Sequence, residues 1–443
     1  MSGRRRSYGG LWVVLLGCMF FAVRGYHDQK LKLHSFDFKP VYGSARCLMD
    51  GCDPYDSGQI QRAFLDHGGS AADLRPFRPY NANYPPSMLF LVMPLTLLPF
   101  GLADLIWLAI GIVLFSCGAL CVADLCVGPR ALMVDCVLAI FVGTSTMLIM
   151  LAQPAMISLS LLVIAVWCFL RQRLLVLGTI AFAVSLTFKP HIGALVWLFF
   201  LLAAGGAAGA AIRVSYRRLA LYTLVATLVL MTPGIVLAYH HPASAHWAQE
   251  LRTKLVGIAA HGNASDPGPS NDEAQSITDL QAVFSLVRDA PKFYNWAAIA
   301  VFVPLFLAWL YMVVRPVRDR MVGEFGACGR DLVALAAGTA LSFLAIYHRQ
   351  YDTRLLLLIF PAAAWLASSG RLRGKVALVL VALATVVTSH QFQHVGERLA
   401  PRLAKLGPVV WVLFNRPMPL MLLLLSLFFL YCMAWPGRDD VRV

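Results

Sequence analysis

The stretch YPPSMLFLVMPLTLLPF, residues 84–100, decides how this chain folds. It is apolar enough to enter a membrane, yet Pro94 and Pro99 interrupt it, and a proline inside a helix removes a hydrogen bond and crowds the preceding turn. Read as a full span, it reverses the sidedness of everything after it. Read as a short re-entrant or interfacial helix, held against protein where broken backbone is tolerated, it leaves that sidedness intact.

The surrounding composition is that of a membrane protein. Of 443 residues, 59% are hydrophobic and 14% charged, with a mean hydropathy of +0.69; soluble domains carry about a quarter charged residues. Stretches that span or nearly span lie at 9–25, 102–123, 131–150, 155–170, 174–188, 191–207, 219–239, 295–314, 331–347, 354–369, 376–390 and 417–436. The expectation is an all-α polytopic bundle of about twelve transmembrane helices forming one domain over 1–443.

The connections support that reading. RRR at 4–6, Arg130, RQR at 171–173, RVSYRR at 213–218, RPVRDR at 315–320, RLRGK at 371–375 and GRDDVRV at 437–443 make every second connection basic. The positive-inside rule assigns these to the cytoplasm, with both termini. This works only if 84–100 is not a span. The opposite connections then share the outer face: 26–100 with its interfacial helices, AQPA at 152–155, FKPH at 188–191, the second loop 240–294, YHRQYD at 347–352 and the segment 391–416.

The formal net charge of +14 is scattered between apolar runs and forms no basic stripe with interleaved aromatics, so nucleic acid is not an expected partner. Ten cysteines without a CxxC are too dispersed for a zinc site or a disulfide framework. Cys47 and Cys52, close together in the first outer loop, are the pair an oxidising compartment could join. The N-terminus has the basic start and apolar centre of a signal sequence but no small-x-small cleavage site, and reads as a retained anchor. HGNASDPGPSNDEAQS at 261–276 has the composition of a mobile segment, either a gate or a plain linker.

Five segments in order, DFKPVYGSARCLMDGCDPY from Asp37, YPPSMLFLVMPLTLLP, AQPAMISLSLLVIA, GTIAFAVSLTFKPHIGALV and YHRQYDTRLLLLIFPA, resemble glycosyltransferase family 87 of the GT-C superfamily over about 37–360. The resemblance implies a GT-C-like multi-helix enzyme in the cytoplasmic membrane whose site faces the periplasm or its equivalent. Such an enzyme takes a sugar, chiefly mannose, from a polyprenyl-phosphate carrier and adds it to a glycolipid or envelope glycan. The family's loop aspartate, thought to be the catalytic base, falls on Asp37. Where relatives commonly show glycine before the glutamine, this chain has Ala152 before Gln153.

Inverting transfer needs a base to take the acceptor's hydroxyl proton, and a carboxylate near the bilayer surface suits it. Asp37 has that position, whereas Asp53 and Asp56, beside Pro54 and Gly58, read as turn residues. The leaving phosphate needs donors aimed at its growing charge. Lys189, His191, His348 and Arg349 are the candidates; an apolar setting makes Lys189 costly without an anionic partner, unless it snorkels to the interface. Asp352, beside Tyr351, could bind sugar hydroxyls, orient His348, or pair with Arg349 or Arg354. Tyr84 is a sugar-stacking group or an interfacial anchor, and Gln153 a contact or a helix cap. No glycine loop or DxD pair suggests a nucleotide sugar, and a lipid monophosphate leaving group calls for no metal or other cofactor.

The alternative is a transporter or flippase of a lipid-linked or small polar substrate. Transporters keep their binding groups near the midplane on broken, repeated helices. Here the polar groups gather at one end and no repeat is visible.

Overall fold

The computed structural model describes residues 8–74, 77, 83–203, 214–271, 273–315, 329–403, 405 and 408–435. RRR at 4–6, Arg213, all of RPVRDR but Arg315, GRDDVRV and both termini lie outside them. The regular elements are helices: α1 (Tyr8–Asp28), α2 (Phe38–Asp50), α3 (Ser57–Asp66), α4 (Pro86–Val92), α5 (Phe100–Leu125), α6 (Ala131–Gly143) and α7 (Met147–Met150). The chain continues through α8 (Pro154–Arg171), α9 (Leu175–Phe188), α10 (Pro190–Leu202), α11 (Tyr216–His240), α12 (Trp247–Ile258) and α13 (Gln281–Val287). Then come α14 (Pro291–Val314), α15 (Gly329–Ala345), α16 (Phe360–Ser368), α17 (Leu372–Val387), α18 (His390–Leu403), α19 (Pro408–Asn415) and α20 (Pro417–Ala434).

This is an all-α polytopic membrane protein. Among the described residues, seven helical segments are long and apolar enough to cross a bilayer, or eight if the pair bent by 70° at α17 and α18 counts as one more. The outward faces of α1, α5, α11 and α14 carry exposed Trp12, Val113, Val229 and Trp296, as helices bathed in lipid do. The other expected spans fall on shorter helices: α9 and α10 have 14 and 13 residues, and 354–369 begins as a 3₁₀ segment, Gln350–Ile359, before α16.

The decisive stretch is broken as its prolines dictate. Helix α4 runs seven residues and gives way at Met93–Leu97 to a 3₁₀ turn containing Pro94, while Pro99 caps the start of α5. At 1.5 Å per residue, α4 is far shorter than a bilayer core of about 30 Å. It packs tightly on α11 because Gly234 has no side chain; a Cβ there would lie 2.5 Å from the Pro86 carbonyl oxygen.

The core is built on α8 and α15, whose side chains are buried nearly all round, with α5 and α9 against the first and α20 against the second. The polar stretch after α1 is ordered by α2 and α3, and Cys47 and Cys52 are joined in a disulfide at the end of α2. Asp53 accepts the Tyr55 amide at 2.8 Å and Asp56 accepts the Gln59 amide at 2.8 Å, the turn and cap roles their neighbours suggest.

Candidate active site

Three sharp chain reversals bring the site together. The first, at 151–153, holds Asp37, which precedes α2 without capping it: its backbone is helical and its carboxylate makes no cap bond. Its amide donates instead to the Leu151 carbonyl at 2.9 Å. The neighbouring Ala152 has φ +50°, the left-handed region disfavoured for alanine, and its carbonyl accepts the Trp107 indole N–H at 3.0 Å. Trp107 in turn stacks on Phe38, 4.6 Å between ring centroids, so the backbone around Asp37 is fixed on two sides.

The reversal at 151–153 also aims Gln153, the cap residue of α8. Its Nε2 donates to Asp37 Oδ2 at 2.6 Å, and its Oε1 accepts from the Ala155 amide and the Tyr84 hydroxyl, each at 3.5 Å. Gln153 is therefore both cap and contact. Asp37 Oδ1 accepts no hydrogen bond from the described residues, leaving one oxygen available. Burial pushes the Asp37 carboxyl up to about 6, against the opposing pull of the Arg349 and Lys189 charges. Burial likewise raises the Tyr84 phenol, which stays protonated as a donor.

The second reversal is Lys189, between α9 and α10, where Pro190 starts a new helix. Lys189 does not snorkel: it is 8% exposed, its Nζ donates to Asp352 Oδ1 at 3.1 Å, and it lies 5.0 Å over the Tyr351 ring. The third is the 3₁₀ segment after α15. Asp352 Oδ2 accepts the Arg349 amide at 3.2 Å and sits 3.5 Å from His348 Nδ1, too far for a strong hydrogen bond. Burial alone would raise the Asp352 carboxyl, but Lys189, His348 and His191 outweigh it and hold it well below the ordinary carboxylate range. His191 closes the group, its ring 4.9 Å from that of His348. His191, His348 and Asp352 together are a set that could hold a metal ion.

Two sequence expectations change here. Asp352 does not pair with Arg354, whose guanidinium turns to the Thr388 carbonyl and lies over Phe141. Arg349 meets Asp352 only through its backbone. Its guanidinium holds Glu273 Oε2 at 2.5 Å, the Ala264 carbonyl at 2.6 Å and the Tyr347 hydroxyl at 2.5 Å. Residues 261–276 are thus no plain linker. Asp266 nails the segment from within, accepting the Gly262 and Gly268 amides at 2.7 and 2.9 Å.

The site therefore unites Asp37, Tyr84, Gln153, Lys189, His191, His348, Tyr351 and Asp352, while the Arg349 side chain fastens the segment beside them. Sequence reasoning missed Trp107, Tyr347 and Glu273. Only the acidic pair DE at 272–273 opposite a basic YHR hinted at the last. No family model, no curated protein and no solved structure matches this chain.

Proposed function

We propose that this chain is an integral-membrane glycosyltransferase, a GT-C-like bundle of about twelve spans in the cytoplasmic membrane, with both termini in the cytoplasm and the site facing outward. Its donor is a polyprenyl-phosphate sugar, mannose by the resemblance to family 87, and its acceptor a glycolipid or envelope glycan. The observation that carries the reading is the pairing of a raised, half-engaged carboxylate with a buried group of hydrogen-bond donors: Asp37, held by Gln153, beside the Lys189 ammonium and the His191 and His348 imidazoles.

In the proposed step the acceptor hydroxyl oxygen bonds to the anomeric carbon, the carbon–oxygen bond to phosphate breaks, and the proton passes to Asp37 Oδ1. Polyprenyl phosphate leaves with the bonding pair. A carboxylate with a value near 6 is a stronger base than an ordinary one and is still ionised at neutral pH. Gln153 fixes its orientation. Lys189 and the two histidines meet the growing charge on phosphate, and Asp352 positions Lys189 for that work. Tyr84 offers a hydroxyl to the sugar.

The test is transfer by the purified chain from polyprenyl-phosphate mannose to a glycolipid acceptor, run beside donor binding. Asp37→Asn is expected to bind donor and lose transfer. Absence of transfer from any lipid-phosphate sugar, together with movement of the lipid-linked substrate across vesicles containing the chain, would replace the enzyme with a carrier.

A further inference from the structure

Asp352 is asked to do more than balance Lys189. One of its oxygens takes the ammonium, and the other faces His348, which is fully buried with neither ring nitrogen hydrogen-bonded among the described residues. A buried imidazole left in that state forfeits both a donor and an acceptor bond, an uncommon condition for a native interior. His191 approaches from α10 with its ring tilted 46° to that of His348. One ligand atom from each of the three lies within 4.8 Å of the others.

We propose that His191, His348 and Asp352 bind one divalent transition-metal cation, with zinc as the best occupant. Two imidazoles and a carboxylate are a donor set that suits zinc and its neighbours, and three protein ligands leave at least one position for water or an anionic oxygen. Ligand atoms in a tetrahedral zinc shell sit roughly 3.3 Å apart; His348 Nδ1 and Asp352 Oδ2 are already 3.5 Å apart, and the widest pair need close by no more than about 1.5 Å. His191 is half-buried at the first turn of its helix and is the ring with room to move. Lys189 is the cation's competitor, because its ammonium lies 3.1 Å from the shared carboxylate. The inference concerns binding alone and stands whether or not the chain transfers sugar.

The experiment uses the purified full-length chain without a histidine tag, stripped with chelator and titrated with Co²⁺ followed by visible absorption, then with Zn²⁺ in competition. One equivalent of Co²⁺ is expected, displaced by Zn²⁺. His191→Ala and His348→Ala should each weaken binding by about 100-fold or more. Because His348 is buried and its variant could fold poorly, His191→Ala decides the question if only it remains monodisperse. Lys189→Met should tighten binding about tenfold by removing a neighbouring positive charge. His394→Ala, which alters the exposed His390–His394 pair, should change nothing. No bound cobalt, undiminished binding in His191→Ala, weaker binding in Lys189→Met, or loss of the signal in His394→Ala would each overturn the proposal.

Discussion

Arg171, at the C-terminal end of α8, forms one ion pair with Asp124, and Lys189, after α9, forms another with Asp352 toward the opposite end of α8, a helix about 27 Å long with its 18 residues rising 1.5 Å each. At the RQR end, Arg171 Nη2 and Nε lie 2.6 and 2.8 Å from Asp124 Oδ2, Nη2 also donates to the Asp124 carbonyl, and the Trp167 indole adds a bond at 2.9 Å. That is a rigid clasp between α5 and α8, with Asp124 a third exposed. At the other end a single contact of 3.1 Å joins two nearly dry side chains, and neither ring nitrogen of the His348 beside them is hydrogen-bonded among the described residues. A planar guanidinium in a saturated network holds helices together; a compact ammonium in an unsaturated one keeps capacity for something else.

The comparison breaks first at the bases. Asp37→Asn is expected to cut transfer by about 10²–10⁴-fold while donor binding survives. Asp124→Asn should leave turnover per folded molecule as it was. Equal losses in the two variants would make the Asp37 site another clasp. Because burial raises Asp37 to about 6 from 3.8, kcat/KM should fall about tenfold per pH unit below that point as the carboxylate takes its proton. The same shift has a stability sign. A carboxyl with a folded value above its unfolded one contributes stability below about pH 4 that is lost as pH rises through about 6. Thermal unfolding should accordingly show Asp37→Asn more stable than the parent near neutral pH and no better near pH 4.

A second variant sharpens the contrast in the pairs themselves. Asp352→Leu leaves a buried ammonium without its counter-charge and should destabilise by about 3–5 kcal/mol. Adding Lys189→Met to it should recover most of that stability and none of the transfer. Arg171→Ala, at a partly hydrated site, is expected to cost about 1–2 kcal/mol in denaturant titration with transfer intact. If the double variant stayed as unstable as Asp352→Leu, Lys189 would not be the charge left stranded. The smallest effect is at the turn that precedes α8, beside Asp37. Ala152→Gly relieves a left-handed alanine, partly offset by a more disordered unfolded chain, for a gain of about 0.5–1 kcal/mol.

The membrane class was legible because hydropathy is a local property, and the breaks at Pro94 and Pro99 were legible for the same reason. The turn at Lys189 and Pro190 was legible too, since FKPH at 188–191 reads as the connection between 174–188 and 191–207, and those runs fall on α9 and α10. The site residues could be picked out as polar groups at one end of apolar segments. Their pairings could not, since Gln153 meets Asp37 across 116 positions and Lys189 meets Asp352 across 163. Arg349 is the instructive case. Its sequence setting beside His348 and Asp352 is that of a site cation; the four acceptors that fasten its guanidinium follow from no local pattern, while its charge still bears on Asp37.

The turn at 151–152 has a consequence for how this protein tolerates change. Asp37 is placed by the Leu151 carbonyl, and its neighbour Trp107 by the Ala152 carbonyl, so the main chain rather than any side chain there sets the position of the carboxylate. Other apolar side chains at 151 can come and go without moving it. At 152 the backbone angle is what matters, and a β-branched residue, which resists that angle, would shift both anchors at once. A residue-by-residue scan would therefore see position 151 respond only as a buried leucine whose packing is lost, and position 152 as intolerant through its backbone, although the two are doing the same job.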